Sequence, residues 1–337
     1  MKNSDRLGRR PGPRRRTANA RTRTTSTHGN RKTPALCCRQ RHVLTNRLGF
    51  LRQQHAIKHR EEVMEKRKAD LKMLKKIQVN APFFDLKNRY LPMFLEYGMN
   101  PEIGIDAHAL DTTSAKEFEQ MAEILKANKL KITLHGPFMD LVPGGIDPML
   151  LTATRKRLTR FFEIIPIFEP VNVVCHTGYD PCHYRELWTD WLSSSVATWK
   201  PYVAQAERFG FKLLLENVYE KSPQVHSALF EAIPSDSFGF CLDVGHHNVF
   251  ANGPLKKWID TFNEKIMEVH LHDNDGEADT HWAIGAGNVD FGSLFQRMRQ
   301  NGLNPTITLE PHEEETLWES LSSADFGNHL NTPHGQV

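Results

Sequence analysis

Eight short β-rich apolar runs are spread along the chain between residues 76 and 310, separated by longer amphipathic stretches of helical period. The runs are Lys76–Pro82, Pro101–Asp106, Lys131–His135, Val171–His176, Lys212–Glu216, Phe238–Asp243, Ile266–His272 and Thr306–Glu310. Strands that alternate with helices are joined by crossovers, so the pattern predicts a parallel sheet. Eight such units close most simply into a (β/α)8 barrel, whose usual size of roughly 250 residues fits the span 73–320. A doubly wound open sheet is the other arrangement that this alternation allows. Between strands, Ser114–Lys129 reads as a helix, with Glu117 three residues after Ser114 at capping-box spacing. Similar helical segments are expected after Arg155, Trp188, Gln224, Leu255 and Ser293.

The residues that end the runs point to chemistry. His135, His176, Glu216, Asp243, His270 and Glu310 each close or directly follow an apolar strand. A barrel gathers all its strand C-termini on one face, the face on which such folds place their active sites. A single histidine there is more often a satisfied core residue, but six convergent donors form no ordinary core. Imidazole and carboxylate donors suit Zn, Mn, Fe or Co, and the lack of Cys at these ends argues against a structural zinc site. His246, three residues after Asp243, extends the set, as do Asp279 and His281 in the loop after the seventh strand. The neighbouring His247, His272 and Asp273 read as orienting or solvated residues rather than ligands.

The segments LHGPF (Leu134–Phe138), CHTG (Cys175–Gly178), LLEN (Leu214–Asn217), CLDVGH (Cys241–His246), VHLHDN (Val269–Asn274), DTHWAIGAG (Asp279–Gly287) and TLEPH (Thr308–His312) occur in that order. Together they resemble the xylose isomerase-like TIM-barrel superfamily, with the ligand pattern of its AP endonuclease family 2 (endonuclease IV) branch. The resemblance covers the barrel and none of the first seventy residues. It implies up to three zinc ions. His135, His176 and Glu216 would hold the first, and Glu216 would bridge to a second completed by Asp243, His270 and Glu310. His246, Asp279 and His281 would hold the third. Such a centre hydrolyses phosphoesters by activating water and stabilising the leaving oxygen. The segments CHTGYDP and LLENVYEKSP resemble cobamide-remodelling phosphodiesterases of the same superfamily.

The resemblance carries a second implication. Many members are sugar or sugar-phosphate isomerases and epimerases that hold one Mn or Mg at the equivalents of Glu216, Asp243, His270 and Glu310. There Glu216 and Glu310 would be the catalytic pair that moves a substrate proton. His135, His176, Asp279 and His281 would then bind hydroxyls. Phe138, followed by Met139, is expected as a pocket wall or a DNA wedge, with His272 and Trp282 as further substrate contacts. One departure from the family is Ala286, where many relatives carry Glu.

Charge separates these readings. Residues 1–72 carry 21 Lys/Arg against 5 Asp/Glu, while residues 73–337 carry 22 against 35, a net −13. An acidic barrel repels a polyanion, so AP-site DNA cleavage ranks below hydrolysis of a small or medium-sized phosphoester or phosphodiester, the preferred expectation. Sugar isomerisation or epimerisation is the alternative. A pure binding module would not need so many ligand-type carboxylates, and none is missing. The expected partner is a small-molecule phosphoester or sugar.

The first 72 residues, Arg-rich and without apolar period, are expected to be disordered. They read as a nucleic-acid arm, a transit peptide or, preferably, sequence upstream of a true start at Met64 or Met73. Residues 321–337 read as a flexible tail. Five cysteines without framework spacing and no run of about 20 apolar residues point to a cytoplasmic chain with no membrane span.

Overall fold

The structure, a computed structural model, describes residues 72–323. The expected basic extension before Lys72 and the tail after Ser323 lie outside the described residues. The eight strands are β1 (Gln78–Pro82), β2 (Asn100–Gly104), β3 (Thr133–His135), β4 (Asn172–His176), β5 (Lys212–Glu216), β6 (Phe238–Asp243), β7 (Ile266–Leu271) and β8 (Thr306–Leu309). They form a closed barrel in chain order, with β8 paired to β1 and every neighbouring pair parallel. The open sheet is thereby excluded. All strand ends fall within two residues of those read from the sequence.

The helices that return the chain between strands are α1 (Leu91–Tyr97), α2 (Ala115–Ala127), α3 (Pro148–Phe168), α4 (Trp188–Phe209), α5 (Gln224–Ala232), α6 (Leu255–Phe262) and α7 (Phe291–Gln300), with α8 (Glu314–Ser322) after β8. Helix α3 starts seven residues before the expected Arg155 because Asp147 caps it. Its carboxylate accepts the N–H groups of Met149 and Leu150, and Pro148 at the first position has no N–H to satisfy. Helices α1 and α8 have seven and nine residues, too few for a helical period to stand out in the sequence.

Most apolar side chains lie between barrel and helices in one continuous core, where Trp258 and Phe262 of α6 pack on Phe240 of β6. The barrel interior is divided. Val174, Leu214 and Cys241, from β4 to β6, form a small separate apolar cluster. The other strands contribute a buried polar layer. Asn172 of β4 donates to Glu268 of β7, a contact between non-adjacent strands that crosses the interior. Thr308 Oγ1 also donates to Glu268, and Asn80 Nδ2 donates to Glu102. Because side chains alternate along a strand, this layer lies two residues below the strand-end donors: Glu268 below His270 and Thr308 below Glu310.

At α2 the capping box is complete. The Ser114 hydroxyl accepts the Glu117 N–H, Glu117 accepts the Ser114 N–H, and Lys87 pairs with the same carboxylate at 2.7 Å. Ser114→Ala is expected to cost about 1 kcal/mol in urea unfolding; an unchanged midpoint refutes the contribution of the cap.

Candidate metal centre

The strand ends place Glu216 at the middle of the site, fully buried at the end of β5. Its Oε2 lies 3.0 Å from His135 Nε2 and 3.1 Å from His176 Nε2. Its Oε1 lies 3.0 Å from His246 Nδ1 and 3.7 Å from His270 Nδ1. The two oxygens of this carboxylate thus meet imidazoles from different sides, Oε2 those of His135 and His176 and Oε1 those of His246 and His270.

Three groups of donors surround it. His135, His176 and Glu216 form one; Glu216, Asp243 and His270 form the second; His246, His272, Asp279 and His281 form the third. Glu310 joins the second group, with Oε1 at 3.1 Å from His270 Nδ1. In the third, Asp279 lies 3.2 Å from His246 Nε2, 3.4 Å from His281 Nε2 and 3.6 Å from His272 Nε2. All nine family-implied ligands therefore converge, and His272 joins them.

Backbone carbonyls lie against one ring nitrogen of three of these histidines. Gly136 O lies 3.0 Å from His135 Nδ1, Asn217 O 3.0 Å from His246 Nδ1 and Glu310 O 3.1 Å from His281 Nδ1. A carbonyl that accepts the Nδ1–H leaves the Nε2 lone pair free to ligate.

The loop after β7 is built to hold Asp279 and His281. Buried Asp273 accepts four backbone N–H groups, those of Asn274, Gly285, Gly287 and Val289, at 2.9–3.1 Å. A Cβ at Gly287 would collide with the Asn274 carbonyl, and one at Gly245 with the His272 ring, so both positions require glycine. His281 has φ +49°, a left-handed conformation that costs a non-glycine residue roughly 1 kcal/mol or more. Strain of this kind is retained where a side chain must point at a set target.

These residues fit a divalent cation. Asp243 Oδ2, Asp279 Oδ1 and both ring nitrogens of His270 and His272 are buried without a hydrogen-bond partner among the described residues. His270 Nδ1 and Glu310 Oε1 are close yet not aligned as donor and acceptor. Ligands of one tetrahedral zinc lie about 3.3 Å apart with their lone pairs convergent, which gives this combination of short distance and missing hydrogen bond. Titration agrees. Burial opposes charge on His135 and His281, but hydrogen bonds to Glu216 and to Asp279 overcome it and raise each to about 9. Burial likewise opposes charge on Glu216 and Glu310, yet the surrounding imidazoles hold both carboxyls well below the usual range. The centre demands positive charge, which protons or a metal ion can supply.

Above the donors opens a cleft of about 990 Å³ lined by His135, His176, Glu216, His246, Asp279, His281 and Glu310, with Phe138 and Met139 in its wall. Phe138 stacks on His176 at 4.4 Å. The other two expected substrate contacts are placed differently. His272 is buried and absent from the lining, with its ring stacked 3.7 Å from His281. Trp282 is also absent from the lining; its backbone pairs with Asp273 to close the loop. Of the residues read as neighbours, Asp273 holds the loop, and His247 is pushed down to about 4 by burial. Sequence reading missed Glu102 and Glu268, which group with His270. For Glu268 the available signal was a carboxylate inside an apolar strand, two residues before a histidine on the same face; Glu102 had no such neighbour.

The description "Xylose isomerase-like TIM barrel" belongs to a family whose model matches residues 95–325. An uncharacterised protein of Methanocaldococcus jannaschii is 28% identical over 208 residues, covering 58% of this chain and 70% of that one. Fructoselysine 3-epimerase of Escherichia coli O157:H7 is 29% identical over 112 residues, 31% of this chain and 40% of that one. Among solved structures, a D-tagatose 3-epimerase-like protein superposes with TM-score 0.64 at 23% identity, covering 75% of this chain and 97% of its own. A Thermus thermophilus protein soaked with ZnCl2 superposes with TM-score 0.62 at 25% identity, covering 76% and 98%.

Two outcomes are expected from this geometry. Asp273→Ala releases four amides, so hydrogen exchange at Gly285, Gly287 and Val289 should quicken at least tenfold while the barrel strands stay protected; unchanged exchange removes the loop-holding role. Because His135 and His281 are raised to about 9, both are protonated at pH 7 in the metal-free protein and must lose their protons to ligate. Zn²⁺ uptake at pH 7 should therefore release protons, visible as a buffer-dependent calorimetric enthalpy, and affinity should rise up to about pH 9. Affinity that stays flat between pH 6 and 9 contradicts this.

Proposed function

Because the chain belongs to the xylose isomerase-like TIM-barrel family, we propose that it is a metal-dependent sugar isomerase or epimerase that moves a proton at a carbon next to a carbonyl. The observation that carries this reading is the convergence of Glu216, Asp243, His270 and Glu310 at the cleft floor, where both glutamates approach His270 Nδ1. A divalent ion held by these four side chains would polarise a substrate oxygen and so acidify the neighbouring C–H. Glu216 and Glu310 close β5 and follow β8, and both line the cleft, so each can meet the substrate. Both carboxyls are held in the ionised form, as a general base requires. In an isomerisation one carboxylate takes the proton from the substrate carbon and returns it to the neighbouring carbon; in an epimerisation the other carboxylate, protonated from solvent, gives its proton to the opposite face while the first releases its own to solvent.

The names of the relatives support this choice over the hydrolytic expectation, since a fructoselysine 3-epimerase and a D-tagatose 3-epimerase-like barrel stand among them. So does charge. Besides the ligand groups, the cleft lining holds Asp85, Asp106, Asp140, Asp180, Glu313 and Glu314 against Arg89 and Arg157. Arg157 is already paired with Asp111 at 2.7 Å. A neutral sugar suits this field better than a polyanion.

One observation favours phosphoester hydrolysis as the second reading. The centre holds more imidazole donors than one ion can use, with His135 and His176 in one group and His246, His272 and His281 in another. Incubation with ketohexoses in D2O and added Mn²⁺ or Co²⁺ decides between them. Deuterium should enter the carbon beside the carbonyl, and both Glu216→Gln and Glu310→Gln should slow it at least a hundredfold. No exchange across the ketohexoses, together with two or three zinc ions per chain and cleavage of a phosphodiester, assigns the site to hydrolysis instead.

A further inference from the structure

His270 differs from His135, His246 and His281 in what faces its second nitrogen. Backbone carbonyls lie against His135, His246 and His281, but the far nitrogen of His270 faces the barrel interior. Its Nδ1 points towards Glu310, Glu216 and Asp243, at 3.1, 3.7 and 4.0 Å. Its Nε2 points the opposite way, 3.4 Å from Glu102 Oε1 and 3.9 Å from Glu268 Oε1, close to both carboxylates but not aligned as a hydrogen bond to either in the metal-free protein. All three side chains are completely buried.

An imidazole that ligates through Nδ1 carries its proton on Nε2, and that proton needs an acceptor where no water reaches. Glu102 is the nearer carboxylate. It is itself clamped: Asn80 Nδ2 donates to its Oε1 at 2.8 Å, and the Thr133 hydroxyl lies 3.4 Å from its Oε2. Glu268 is occupied by Thr308 and Asn172, at 2.5 and 2.8 Å. The oxygens around Nε2 are therefore already engaged by fixed donors. This argues against a further ion between the two glutamates and for an orienting role.

We propose that Glu102 is a positioning residue that accepts the Nε2–H of His270, fixing its ring and tautomer so that Nδ1 presents a lone pair to the metal. The chain thus runs from Asn80 through Glu102 and His270 to the ion, a carboxylate–imidazole–metal relay set in the barrel interior. It rests on the metal-centre reading and not on which reaction the centre performs.

The test measures Zn²⁺ and Co²⁺ affinity of the full chain by chelator competition, with the visible spectrum of bound Co²⁺ and the melting temperature of the metal-free protein recorded alongside. Glu102→Met, which removes the acceptor and keeps the bulk, should weaken metal binding 10- to 100-fold and alter the Co²⁺ spectrum. Glu102→Gln keeps an acceptor oxygen without the charge and should recover at least a third of the lost affinity on a logarithmic scale. Glu102→Met that binds within twofold of the wild type, or Glu102→Gln as weak as Glu102→Met, overturns the proposal. Should Glu102→Met not fold, Asn80→Ala carries the test, since it leaves the carboxylate but removes its clamp: a loss of at least threefold supports the proposal and parity overturns it. A wild-type chain that takes up neither ion removes the metal reading itself, whereas a loaded wild type with unaffected variants removes only the role of Glu102.

Discussion

The rest of the site depends on one buried charge. Glu216 lies at the end of a strand buried from Leu213 onward, where an ionised carboxylate without partners would be prohibitively unfavourable. Four imidazoles from three other strands and one strand-following helix come within 3.7 Å of it, and together they offset the cost of burying it. This mutual need makes the centre all or nothing: a lone imidazole or carboxylate there is destabilising, while the assembled set is neutral once protons or a metal ion complete it.

The barrel is arranged to carry that load. An ordinary barrel fills its interior with branched apolar side chains. Here β4 to β6 keep a small apolar cluster, but Asn80, Glu102, Thr133, Asn172, Glu268 and Thr308 form a hydrogen-bonded polar layer beneath His270. Such a layer adds little net stability, because its desolvation cost nearly offsets its bonds. What it contributes is a fixed direction for the groups above it. Stability comes from the apolar shell between strands and helices, so the interior is free to serve the site.

Hydrolase and isomerase readings share most of their ligands, so the residues alone do not separate them. The separation comes from what surrounds the donors. The cleft lining is acidic beyond its ligands, and its two arginines are too few, with one already paired, to draw in a phosphodiester. The additional imidazoles pull the other way. They can bind hydroxyls as readily as a second ion.

The sequence by itself determined the architecture and most of the candidate ligands. Strand and helix periods are local properties, so eight βα units, the capping box at Ser114 and the strand-ending donors could all be read from residues close in the chain. Tertiary structure decided what depends on distance between strands. Asp273 and Asp279 look alike in the sequence, yet one gathers four amides and the other faces three imidazoles. His272 groups with the candidate ligands and Trp282 with the loop, because the chain after Asp273 turns back so that Trp282 pairs with it. Glu102 was illegible for the same reason: it lies far along the chain from His270, and only barrel closure brings β2 and β7 to face each other across a shared interior.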